Sequence, residues 1–139
     1  MKHLFFAFLL FLSGAACAQS SGATFLPTIT SSSVFINPIA QTAQYIRVDS
    51  IVIVYGAIFL NGSPTAGVPV FITVSVPVPV TFSGGNNTAR GFANVFQSGA
   101  PALIGQVTTT PAEVQIKYTP TASFPANMVY HYSYVIHSL

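Results

Sequence analysis

The chain has 139 residues and a mean hydropathy of +0.63, yet only 4% of its residues are charged, against roughly 25% in an ordinary soluble domain. Beyond residue 18 the charges are Arg47, Asp49, Arg90, Glu113 and Lys117, a net charge of +1 from three bases and two acids. This composition excludes highly charged disorder and gives no basic footprint for nucleic acid. It also removes most of the groups from which acid–base or metal chemistry is built.

In chain order, Lys2 precedes an unbroken apolar run from Leu4 to Leu12 with four Phe and four Leu. The small residues Ser13-Gly14-Ala15-Ala16-Cys17-Ala18 follow. The pattern reads as a secretory leader, too short for a spanning helix. Ala16-Cys17-Ala18 fits cleavage after Ala18, which leaves a mature chain without cysteine and so without disulfides. The alternative is lipoprotein processing with Cys17 as the anchored residue. The organisation expected is a leader over 1–18, a short linker over 19–23 and one β-domain over 24–139.

Phe25 to Ile39 reads as one or two edge strands, interrupted by Pro27, Ser31-Ser32-Ser33 and Pro38. Tyr45 to Leu60 is the strongest strand signal and reads as one long element. One parity, Ile46, Val48, Ser50, Val52, Val54, Gly56, Ile58 and Leu60, is mostly apolar throughout. The other becomes apolar from Ile51 through Ile53, Tyr55 and Phe59. A strand apolar on both sides needs cover on both, either from a segment of the same chain or from a partner subunit.

Asn61-Gly62-Ser63-Pro64 is a turn. Val68 to Val80 alternates Val and Ile against Pro69, Pro77 and Pro79, which predicts an edge strand ending near Val76. Ser83 to Asn87 is a surface loop. Thr88 to Gln97, Ala102 to Thr109 and Ala112 to Thr119 follow as strands. Met128 to Ile136 closes the chain, with Tyr130, Tyr132 and Tyr134 on one side and His131 and Ser133 on the other. The fold class predicted is all-β: an antiparallel β-sandwich, a jelly roll of about 8–10 strands.

Three pieces carry a resemblance: Leu26-Pro27-Thr28-Ile29-Thr30, Gln44-Tyr45-Ile46-Arg47-Val48 leading into Val52-Ile53-Val54-Tyr55-Gly56, and Tyr130-His131-Tyr132-Ser133-Tyr134-Val135-Ile136. In order and spacing they resemble the small β jelly-roll domains of bacteriophage tail-fibre and head-fibre proteins and related bacterial proteins. Asp49-Ser50 stands where that family has a Gly-Asn turn-like pair. The resemblance implies a compact jelly roll of the C1q and tumour-necrosis-factor architecture, assembled as a trimer. It also implies a receptor- or carbohydrate-binding role, in the virion or in an exported bacterial relative.

No constellation for catalysis stands out. His131 and His137 share a strand face but lie about 20 Å apart along an extended chain. Asp49 and Glu113 are the only carboxylates beyond the leader, and no clustered ligands suggest a metal or cofactor. The expectation is a non-enzymatic secreted module that binds, or alternatively a purely structural self-assembling subunit. Candidate ligand contacts are Asn86, Asn87 and Arg90, whose amides and guanidinium suit a glycan. Candidate interface residues are Ile51, Ile53, Tyr55, Phe59, Tyr130, Tyr132 and Tyr134. The tyrosine stripe reads as core or subunit seam before ligand platform.

Overall fold

The structure, a computed structural model, describes residues 20–31, 38–82 and 88–136. The expected leader, Cys17, His137 and the loop residues Asn86 and Asn87 lie outside them. Among the described residues ten strands run β1 Ser20–Phe25, β2 Ile29–Ser31, β3 Pro38–Ala40, β4 Ala43–Val48, β5 Ile51–Leu60, β6 Val70–Ser75, β7 Arg90–Gln97, β8 Leu103–Thr109, β9 Glu113–Tyr118 and β10 Ala126–Val135. All join one curled antiparallel sheet in the order β1-β4-β5-β10-β7-β8-β9-β6-β2, with β3 also paired to β5.

The pairs β5 with β10, β6 with β9 and β7 with β8 are nested. This is the connectivity of an antiparallel ribbon wrapped on itself, the jelly-roll arrangement expected. Wrapping brings the far edge strand β2 near β3. The curled sheet thereby encloses one core and leaves the other side of every strand facing outward.

The strand limits follow from residue chemistry. Asp49, at φ 52°, turns the chain between β4 and β5, and Val48 pairs directly with Ile51 across a two-residue loop. The single strand expected over 45–60 is therefore a hairpin, and its parity reverses at the turn. Ile46 pairs with outward Ile53, while Tyr45 pairs with core Val54. Gln19 lies outside the described residues, but the rest of the expected linker is strand β1, bonded along β4. Pro69, Pro77 and Pro79 all fall outside β6, because a proline cannot donate to a ladder. β6 is next to the sheet edge, covered only by the three residues of β2.

The core takes one parity from each central strand: Val52, Val54, Ile58 and Leu60 from β5, Val114 and Ile116 from β9, and Val70, Ile72 and Val74 from β6. Its largest side chains include Tyr130, Tyr132 and Tyr134, at 1%, 0% and 2% exposure. Successive same-face positions on a strand lie about 6.8 Å apart, which lets the three rings stack. Their centroids are 5.9 Å apart for Tyr130–Tyr132 and 6.2 Å for Tyr132–Tyr134.

Two glycines make this packing possible. A Cβ at Gly56 would overlap the Tyr130 ring, and one at Gly91 would overlap the His131 carbonyl and lie 2.6 Å from the Tyr132 Cα. The Tyr134 hydroxyl donates to the Val78 carbonyl (2.9 Å) and accepts from the Val78 N–H (3.1 Å). That exchange fastens the proline-rich segment after β6 over one end of the core. At the β7 end, Gln97 Nε2 donates to the carbonyls of Ala122 (2.9 Å) and Phe124 (3.2 Å) and holds the loop before β10. Burial pushes the phenols of Tyr118, Tyr130, Tyr132 and Tyr134 up, that of Tyr134 to about 12.

Candidate functional site

The side chains that alternate with the core form the outward face of β5, β10 and β7. β10 is central and pairs with both neighbours in continuous register, so this face is a set of cross-strand rows. One row is Phe59–Asn127–Phe96, the next Ala57–Val129–Asn94, and the third Tyr55–His131–Phe92. A fourth is Ile53–Ser133–Arg90. Two ridges with aromatic flanks thus border a trough of smaller side chains, because each strand alternates bulk along its outward parity.

His131 sits between two rings. Its centroid is 4.7 Å from that of Tyr55 and 5.8 Å from that of Phe92. Beside it a shallow, open depression of about 380 Å³ is lined by Tyr55, Phe92, Asn94, Val129, Tyr130 and His131. A second, of about 450 Å³, lies among Phe59, Phe96, Phe124, Pro125 and Asn127. The apolar character continues onto the neighbouring strands. Ile104, opposite Asn94, is 76% exposed, and Ile46, opposite Ile53, is also exposed.

Water contact here is extensive. Tyr55 is 50% exposed, and Ile51, Phe92, Phe96 and Val129 are close to half exposed. No acidic residue occurs in β5, β10 or β7, and Arg90 is the single charge on those strands besides any carried by His131. Monomeric soluble proteins rarely leave a contiguous apolar patch beyond a few hundred Å². Flat packing against another apolar surface is what such a face does best.

The structure separates the interface candidates into two groups. Ile51, Ile53, Tyr55 and Phe59 lie on the outward face, and no described segment covers Ile51 or Tyr55. Tyr130, Tyr132 and Tyr134 are corrected from interface to core. Their parity on β10 matches Val52, Val54 and Gly56 on β5, so their rings point into the same molecule, and of the three only Tyr130 also borders the depression beside His131. Of the ligand candidates, Arg90 begins β7 and is exposed.

The residues with acid–base chemistry fall on separate elements: Asp49 in the β4–β5 turn, Glu113 at the start of β9, His131 in the middle of β10. Among the described residues no group of three or more His, Cys, Asp or Glu comes together. Lys117 on β9 lies 5.4 Å above the Phe71 ring, a cation–π contact on the outside of the sheet.

Sequence reasoning missed Phe92, Phe96, Val129 and Ile104 as surface residues. The available signal was that Phe92 and Phe96 alternate with Ala93 and Val95, so both parities of β7 are apolar, as in β5. Comparison with protein-family models, with curated proteins and with solved structures finds no match.

Proposed function

We propose that this chain is an exported, non-enzymatic jelly-roll subunit that works by self-association through the outward face of β5, β10 and β7. The observation that carries the reading is the row structure of that face: aromatic ridges, a shallow trough, no acidic residue and about half of Ile51, Tyr55, Phe92, Phe96 and Val129 in water. An exposed surface of this kind is stabilised by burial at about 25 cal/mol per Å², and few ionic groups need desolvation when it is covered. Export rests on the leader pattern, with cleavage after Ala18. The resemblance to phage fibre domains supports an assembling role.

A second reading has its own observation. The depression beside His131 pairs the Tyr55 and Phe92 rings with the polar groups of Asn94 and His131, a combination that suits stacking and hydrogen bonding to a sugar. In that reading the chain is a receptor- or carbohydrate-binding module of fibre type. Arg90, at the start of β7, would then be a further contact.

The test is the solution mass of the chain from Gln19 onward, measured by light scattering after size exclusion. A stable multimer supports the self-associating subunit. A monomer that binds immobilised oligosaccharides would replace it with the carbohydrate reading, and a monomer that binds none would remove both.

A further inference from the structure

The outward face has a shape that complements itself. The ridge Tyr55–His131–Phe92 stands beside the trough Ala57–Val129–Asn94, one row along the same three strands. Rows on one face lie about 6.8 Å apart, so a ridge of one copy offset by a single row meets the trough of another, and the reverse contact follows by symmetry. Six side chains of this face, Ile51, Tyr55, Phe92, Phe96, Ile104 and Val129, are each about half exposed or more. At 150–250 Å² for a fully buried aromatic, they offer roughly 600 Å² of apolar surface, near the ~800 Å² per partner of a standard interface. A single patch of this kind suits an isologous pair, whereas a closed ring needs two different complementary patches.

We propose that this face packs against the same face of a second copy across a two-fold axis, and that protonation of His131 dissociates the pair. The inference rests on the self-associating reading given above. In the paired state His131 lies within the contact, between Tyr55 and Phe92. The titratable or charged groups facing it are few. β5 contributes only the Tyr55 phenol, and β7 contributes Arg90, one row away. In the same row beyond Phe92 come Gln106 on β8 and then Lys117 on β9. The carboxylates Asp49 and Glu113 lie in the β4–β5 turn and at the start of β9, and neither is paired with β10. A neutral imidazole fits such an environment. An imidazolium there has no carboxylate to meet it, and Arg90 and Lys117 add positive charge. The aromatic faces of Tyr55 and Phe92 compensate only in part for the lost water.

Histidine is the side chain that ordinarily changes charge between pH 5 and 8, and beyond the leader the chain has only His131 and His137. The experiment is sedimentation equilibrium of the chain from Gln19 onward at about pH 8 and about pH 5.5, for the native sequence, His131→Gln and His137→Gln. The expected result is a dimer at the higher pH whose dissociation constant rises about tenfold or more at the lower. His137→Gln should keep that dependence and His131→Gln should lose it while remaining dimeric. Near-ultraviolet circular dichroism of the tyrosines checks that each variant keeps the native core.

A dimer equally stable at both pH values, or a pH dependence that survives His131→Gln, would overturn the role of His131. A trimer would overturn the two-fold packing and leave self-association standing. A monomer at both pH values would remove the pairing and the self-associating reading together.

Discussion

The two faces of β10 belong to one strand and differ in everything except backbone. Inward, Tyr130, Tyr132 and Tyr134 are covered by their own chain, stacked on one another and given room by Gly56. Outward, Val129 and His131 sit among rings that remain about half in water. Rings line both sides, so aromatic content alone does not distinguish them, although β10 itself adds the polar Asn127, His131 and Ser133 outward. What distinguishes them is accommodation. The inner side has a glycine where the Tyr130 ring needs space and carbonyls for the hydroxyls of Tyr132 and Tyr134, whereas the outer side has a regular relief with no described segment set into it. The inner face is finished within the chain, and the outer face leaves Tyr55, Phe92, Phe96 and Val129 about half in water.

The largest expected effect comes from charging the inner face. The buried tyrosines have folded pKa values raised above the ordinary 10.0, by desolvation first of all. A raised value means that the stability of the neutral form is fully present below the unfolded pKa of 10 and is lost as pH rises through the folded one. For Tyr134 that window runs from 10 to about 12. The fold should therefore hold a constant urea midpoint from neutral pH to about pH 9.5 and weaken above 10. The loss should be about 1.4 kcal/mol per pH unit for each tyrosine ionised only in the unfolded chain.

Next in size is truncation at the centre of the stack. Tyr132→Ala removes a fully buried ring flanked by two others and should cost about 3–5 kcal/mol in chemical denaturation, as large aromatic deletions in cores do. A loss below about 1 kcal/mol would show that the inner face is loosely packed.

The smallest effect separates two tyrosines that look alike in sequence. Tyr134→Phe removes the hydroxyl that serves both the N–H and the carbonyl of Val78, and should cost about 1–3 kcal/mol because a part-buried donor and acceptor lose their shared partner. Tyr130→Phe removes a buried hydroxyl that has no hydrogen-bond partner among the described residues, and should be neutral or slightly stabilising. Equal losses at the two positions in paired melting curves would contradict the clasp on Val78.

Much of this was legible in the residues. Alternation in Val114-Gln115-Ile116-Lys117-Tyr118 and in Tyr130 to Tyr134 placed β9 and β10 and chose their faces, because polar residues marked the outer side. The prolines at 69, 77 and 79 bounded β6 through their missing donors. β1 was not legible, because Ser20-Ser21-Gly22-Ala23 has no apolar period and is held by its ladder to β4. The β4–β5 turn was obscured for a related reason. Asp49-Ser50 lacks glycine, so the hairpin had to be read from an aspartate that accepts a left-handed backbone.

The outward face was only half visible. Ile51 to Phe59 announced a second apolar side, but which other strands extend it depends on register. Register brings Phe92, Phe96 and Ile104 beside β10 or next to it, and no local pattern carries that information.

The claim that joins these observations is that the inner face holds the fold while the outer face makes the contact. Sedimentation velocity of Phe92→Ser beside the native chain tests it most directly, since one run reports both mass and compactness. The account predicts a native multimer and a variant that sediments as a compact monomer. A variant that keeps the native mass, or one whose monomer sediments as an expanded unfolded chain, would contradict it.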